Sequence, residues 1–65
     1  MNATKSELQN FINKLINERD KTTDDTIRRD YYNSLIDGCL LTLDTLRVQY
    51  ITKTEHYEYT YIEII

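Results

Sequence analysis

Leu8, Phe11, Ile12, Leu15 and Ile16 fall at i, i+3, i+4, i+7 and i+8, a single apolar stripe with the period of an α-helix. Gln9, Asn10, Asn13, Lys14 and Asn17 make up the opposite face and are expected to be solvated. In front of the stripe stand Thr4 and Glu7, spaced as a capping box. The hydroxyl of such a box accepts from the amide three residues on, and the carboxylate returns to the cap. Together these signals predict a helix over residues 4–19.

Asp20-Lys21-Thr22-Thr23 interrupts the pattern without Gly or Pro. Thr22 followed by Asp25 has the spacing of a second capping box. Asp24 and Asp25 also put negative charge in a first turn, where the helix dipole favours it. From there Tyr32, Ile36, Cys39, Leu43, Leu46 and Tyr50 are spaced 4, 3, 4, 3, 4, a heptad seam that Tyr31, Leu35, Leu40 and Ile51 widen. A second helix over residues 24–51 is predicted. Gly38 lies inside it, at a cost of about 1 kcal/mol relative to Ala, and reads as a tolerated surface glycine.

An antiparallel hairpin turning near residue 21 sets Thr4 opposite Gly38. Beyond that point the second helix has no partner for about 13 residues, or about 20 Å at the helical rise. This overhang carries Leu40, Leu41, Leu43, Leu46, Val48, Tyr50 and Ile51. Leaving such side chains in water costs about 1.5–3 kcal/mol each, against a total stability of only about 5 kcal/mol for a small domain. In the tail, Tyr57, Tyr59 and Tyr61 alternate with Glu58, Thr60 and Ile62, which is a strand period in strand-favouring residues. Residues 54–65 are therefore predicted to be extended or a β-strand, with no second strand in the chain to pair with. The expected fold is all-α or mainly α: one small domain over residues 1–65, a helical hairpin with a long second helix and an extended or β-strand C-terminal tail, assembled into an oligomeric helical bundle.

Composition sharpens the need for association. Small scaffolds usually rely on disulfides, a metal or oligomerisation. Cys39 is the only cysteine and His56 the only histidine, so neither an intrachain disulfide nor a zinc cluster is expected. Net charge is −3, from eleven acidic and eight basic residues, the wrong sign for general nucleic-acid binding. No apolar run reaches the ~18–20 residues of a membrane span, and Met1-Asn2-Ala3-Thr4-Lys5 lacks the apolar core of a signal peptide. A lone cysteine without an export signal fits a cytoplasmic protein. A profile rich in Asn, Thr, Ile, Tyr and Asp suits small proteins of AT-rich phages and mobile elements.

No nucleophile–base pair or cofactor motif stands out, so an enzyme is not expected. Asp30, Asp37 and Asp44 recur every seven residues, two helical turns apart, about 10 Å and too far to share one cation. Asp24, Asp25 and Asp30 with Arg28 and Arg29 read as capping and surface ion pairs. Cys39 sits in the apolar seam as a small hydrophobe. The expected oligomer interface is Cys39, Leu43, Leu46 and Tyr50, and the expected partner-binding residues are Tyr57, Tyr59, Tyr61 and Ile62, because tyrosine joins a large apolar body to a polar tip. The expected function is a non-enzymatic, homo-oligomeric protein-binding regulator or inhibitor, which joins a partner's sheet edge or occludes its surface. One alternative is an oligomer that sequesters a nucleotide or other phosphorylated small ligand, with Arg28 and Arg29 as anion contacts. Another is a small structural assembly subunit.

Overall fold

The computed structural model describes residues 4–65; residues 1–3, part of the N-terminus expected to lack the apolar core of a signal peptide, lie outside them. Two helices, α1 (Lys5–Asp20) and α2 (Thr26–Thr45), precede two strands, β1 (Tyr50–Glu55) and β2 (Glu58–Ile64). The strands pair antiparallel as a hairpin. This is a small α+β fold, and it overturns the helical hairpin with a long second helix and an unpaired tail. It equally removes the oligomeric helical bundle built on that expectation.

Both helices begin where side chains cap them. Thr4 accepts from the Glu7 amide at 3.1 Å and its hydroxyl donates to the Glu7 carboxylate at 3.2 Å. Asp25 caps α2, accepting from the Arg28 amide at 2.9 Å. Thr22, the expected cap, instead donates to the Arg19 carbonyl at 2.6 Å and closes the end of α1.

α2 stops six residues short of the predicted Ile51, and the stop is a Schellman turn. The Val48 amide bonds the Leu43 carbonyl at 2.9 Å, and the Arg47 amide bonds the Asp44 carbonyl at 3.1 Å. The motif needs a left-handed residue after the cap, and Arg47 supplies it with φ 58°. Glycine usually fills that position, so the sequence gives no punctuation there. Leu46 and Tyr50 continue the heptad spacing only by coincidence, since Tyr50 is already in β1. With α2 ended at Thr45, the unpartnered overhang does not exist. The chain turns back and uses Val48–Ile64 to cover its own core.

That core joins Ile12 and Ile16 of α1, Ile36, Leu40 and Leu43 of α2, and Ile62 and Ile64 of β2. Leu15, Cys39, Val48, Tyr50 and Tyr59 pack around it, half-buried. β2 lies along α1 in the opposite direction, and their contact extends to the strand's backbone. Asn13 donates to the Ile62 carbonyl at 2.9 Å and accepts from the Ile62 amide at 3.0 Å. One turn earlier, Gln9 accepts from the Ile64 amide at 2.8 Å. Two side-chain amides on the face expected to be solvated thus stand in for a third strand and satisfy the outer edge of β2.

These bonds also fix which way each strand residue faces. Ile62 and Ile64 turn their backbone groups away from β1, so their opposite numbers Thr52 and Tyr50 turn theirs away from β2. The inward pairs are Ile51 with Glu63 and Lys53 with Tyr61. A bulge between Lys53 and Thr54 leaves Thr60 as the extra residue on β2.

Candidate protein-binding surface

The hairpin turns through two residues, His56 and Tyr57, flanked by the pair Glu55–Glu58. Both turn residues have positive φ, 50° and 67°. A two-residue turn of this kind matches the twist of the strands and normally carries Asn-Gly or Asp-Gly. Here an imidazole and a phenol occupy it. The left-handed conformation costs a residue with a Cβ about 1–2 kcal/mol. Tyr57 gains nothing from the rest of the molecule in return, because its side chain is fully exposed.

The turn is held in place from below by Glu58. Its carboxylate receives a two-pronged bond from Arg29, one arm at 2.9 Å to Oε2 from Nε and the other to Oε1 from an Nη. Asn33 donates to the same Oε2 at 2.8 Å, and the Arg19 guanidinium lies 3.8 Å away. Arg19 is 1 % exposed and still fully paired, with Asp20 at 2.9 Å and Asn33 at 3.1 Å. Arg29 also reaches the Arg19 carbonyl at 3.3 Å. The bonds from Arg29 and Asn33 hold the Glu58 carboxyl down to about 2. Its carboxylate in turn raises the Arg29 guanidinium above its ordinary value. The network ties the turn to both helices and neutralises Glu58, whose cross-strand neighbour Glu55 carries a like charge.

At the other end of the molecule α1 and α2 frame an apolar cavity of about 200 Å³. Leu8, Phe11, Ile12, Cys39, Leu43, Leu46 and Val48 line it together with Thr42, whose hydroxyl is already spent on the Gly38 carbonyl at 2.9 Å. Phe11 and Leu46 are exposed there. Burial raises the Cys39 thiol above its ordinary value, which weakens it as a nucleophile. The Tyr50 phenol donates to Asp44 at 2.7 Å and is pushed up to about 12 by that bond.

The residues singled out from sequence therefore part company. Of the tail set, Tyr57 is exposed at the turn and Tyr61 stands on the outer face under the Lys53 ammonium, 5.8 Å from its ring centre. Tyr59 packs against the core and Ile62 is completely buried within it. Of the interface set, Leu43 belongs to the core, Cys39 and Tyr50 are half-buried, and only Leu46 is exposed. Arg29 is committed to Glu58, whereas Arg28 is exposed and lies 4.0 Å from Asp25. Sequence reasoning passed over Gln9, Asn13, Asn33 and Glu58, whose partners all lie 14 or more residues away.

Among the described residues no group of three or more His, Cys, Asp or Glu could hold a metal ion, and no helix is long and apolar enough to cross a membrane. No family model matches the chain, and neither does any curated protein or solved structure.

Proposed function

We propose that the protein is a non-enzymatic regulator that binds a protein partner through the tip of its hairpin, with Tyr57 as the anchor. The observation that carries this reading is the conformation of Tyr57: left-handed, bulky and fully exposed. A residue that strains the backbone and covers nothing inside its own chain gives its contact energy only to something outside it. Tyrosine is among the residue types that dominate binding hot spots, where truncation costs about 2 kcal/mol or more. The Glu58 network supports the same reading, because it fixes the turn and so lowers the ordering cost of binding.

Sequestration of a phosphorylated ligand has less in its favour. Arg29, one of its two expected anion contacts, already chelates a carboxylate. Arg28, the other, borders an open depression of about 440 Å³ with Ile27, Tyr31 and Asp25, whose carboxylate lies 4.0 Å from the guanidinium and would repel an anion there.

Tyr57→Gly separates a structural role from a binding one. The variant should be more stable than the parent by about 1 kcal/mol, because glycine accepts the turn without strain. It should also bind the partner at least about 30-fold more weakly, the loss expected of a hot spot. Tagged parent, Tyr57→Gly and Tyr57→Phe proteins would be used in parallel capture from the cells that express the chain, followed by titration against the purified partner. A partner held equally by Tyr57→Gly and the parent, or no partner held by either, overturns the proposal.

A further inference from the structure

The two edges of the hairpin are treated differently by the fold. The outer edge of β2 is satisfied by Asn13 and Gln9. The outer edge of β1 presents the amides and carbonyls of Tyr50 and Thr52, and no side chain of the described residues bonds them. β1 packs chiefly on β2 alone, and four of its six residues are exposed. It is six residues long, free of proline, and the bulged residue lies on the other strand. Such an edge is a template for another strand.

We infer that the β1 edge is a homodimer interface, at which two copies pair β1 with β1 antiparallel and form a continuous four-stranded sheet. Two-fold pairing requires a register in which the strand complements itself. Centring on Ile51 does so. Tyr50 then exchanges both its bonds with Thr52 of the other copy, and Thr52 with the other Tyr50, so every outward group of the two residues is used. Ile51, 52 % exposed in the single chain, meets its own symmetry mate in the closely spaced pair. Lys53 falls opposite Gln49, and the two Lys53 side chains stand two strand pairs apart from the dyad. A register centred on Thr52 would instead set the two lysines diagonally beside each other and leave Ile51 facing a cation. The local charge does not oppose a second copy. The chain carries −3 overall, but β1 holds one lysine and one glutamate, so this edge joins like-charged molecules across a neutral seam.

The test is the solution mass by light scattering across a wide concentration range, for the parent, Thr52→Pro and Ile51→Lys. The Thr52 amide faces away from β2, so proline removes a bond made only between copies and leaves the intrachain ladder whole. Ile51→Lys keeps every backbone donor and opposes two cations at the dyad, which should raise the dissociation constant about tenfold or more. It decides the matter should the proline variant fail to fold. The expected result is a concentration-dependent dimer for the parent and monomers for the variants, with Tyr50 and Thr52 amides that gain hydrogen-exchange protection only at high concentration. A parent that stays monomeric, or a dimer that both folded variants preserve, overturns the inference. Neither outcome depends on Tyr57, so this test and that of the hairpin tip succeed or fail separately.

Discussion

Replacing Glu58 with Gln keeps the shape of the side chain and removes the charge that Arg29, Asn33 and Arg19 converge upon. The carboxyl is held at about 2, against an ordinary value of 4.5. At about 1.4 kcal/mol per pH unit this gap corresponds to an upper bound of roughly 3.5 kcal/mol of stability. The side chain retains 21 % of its exposure, so solvent screening reduces the expected contribution to about 1–2 kcal/mol. Glu58→Gln should therefore unfold at a midpoint about 5–15 °C lower at neutral pH, the range appropriate to a domain of this size. The pH dependence is the sharper signature. Above pH ~4.5 the carboxylate is ionised in both the folded and the unfolded chain, and the full contribution is present. As the pH falls below 4.5 the unfolded chain takes up the proton while the folded one does not, and stability is lost until the pH reaches about 2. Urea unfolding of parent and variant at intervals between pH 7 and 2, followed by circular dichroism, reads the difference directly. It should be about 1–2 kcal/mol at pH 7 and shrink towards zero near pH 2. A gap that is the same at every pH would refute the electrostatic account and leave only packing at the turn.

Asn13→Ala removes both bonds to Ile62 and leaves the amide and carbonyl of that buried residue without partners, so it should cost about 2–3 kcal/mol and deprotect the Ile62 amide in hydrogen exchange, whereas unchanged protection would mean that water satisfies this edge equally well. Gly38 is exposed within α2 and an added Cβ would meet nothing within 4 Å, so Gly38→Ala should raise stability by about 0.5–1 kcal/mol in the same urea assay; a loss would show that the helix needs the glycine's freedom.

Signals confined to a few neighbouring residues were legible in the sequence. The Thr4–Glu7 cap and the stripe through Ile12 and Ile16 each correspond to a feature of the fold, whereas Asp24 and Asp25, expected inside the first turn of the second helix, precede it, and Asp25 serves as its cap. The end of α2 was not legible, because its left-handed cap is an arginine where glycine would have marked it. The hairpin was hidden for the same reason: His56-Tyr57 stands where Asn-Gly would announce a turn. Without that turn β1 had no visible mate, and Tyr50 was absorbed into a heptad that its spacing happened to continue. The amides of Gln9 and Asn13 looked solvated because a helix period says which face is polar and nothing about whether that polarity meets water or a strand edge. Glu58 resembled any surface carboxylate until the fold brought Arg29 to it. Of the candidate site, Tyr57 was reachable from its residue type alone, but the strain that distinguishes it from Tyr59 and Tyr61 exists only in the folded backbone.

The two proposals constrain each other through geometry. Tyr57 lies six residues beyond the dyad at Ile51, about 20 Å along an extended strand. Antiparallel pairing sends the two turns in opposite directions, so the dimer would carry its anchors about 40 Å apart at the far ends of one sheet. A small domain is only about 30 Å across, too narrow to engage both tips. Dimerisation would therefore confer no avidity towards a single monomeric partner, since the effective concentration of the second tip is near zero when the span cannot be bridged. What it would confer is bivalency: each dimer holds two partners at a fixed distance, or clamps one partner that is itself an oligomer with matching spacing. Affinity for an isolated partner domain should then be the same for the parent and for Ile51→Lys, while affinity for an assembled partner should fall in the variant.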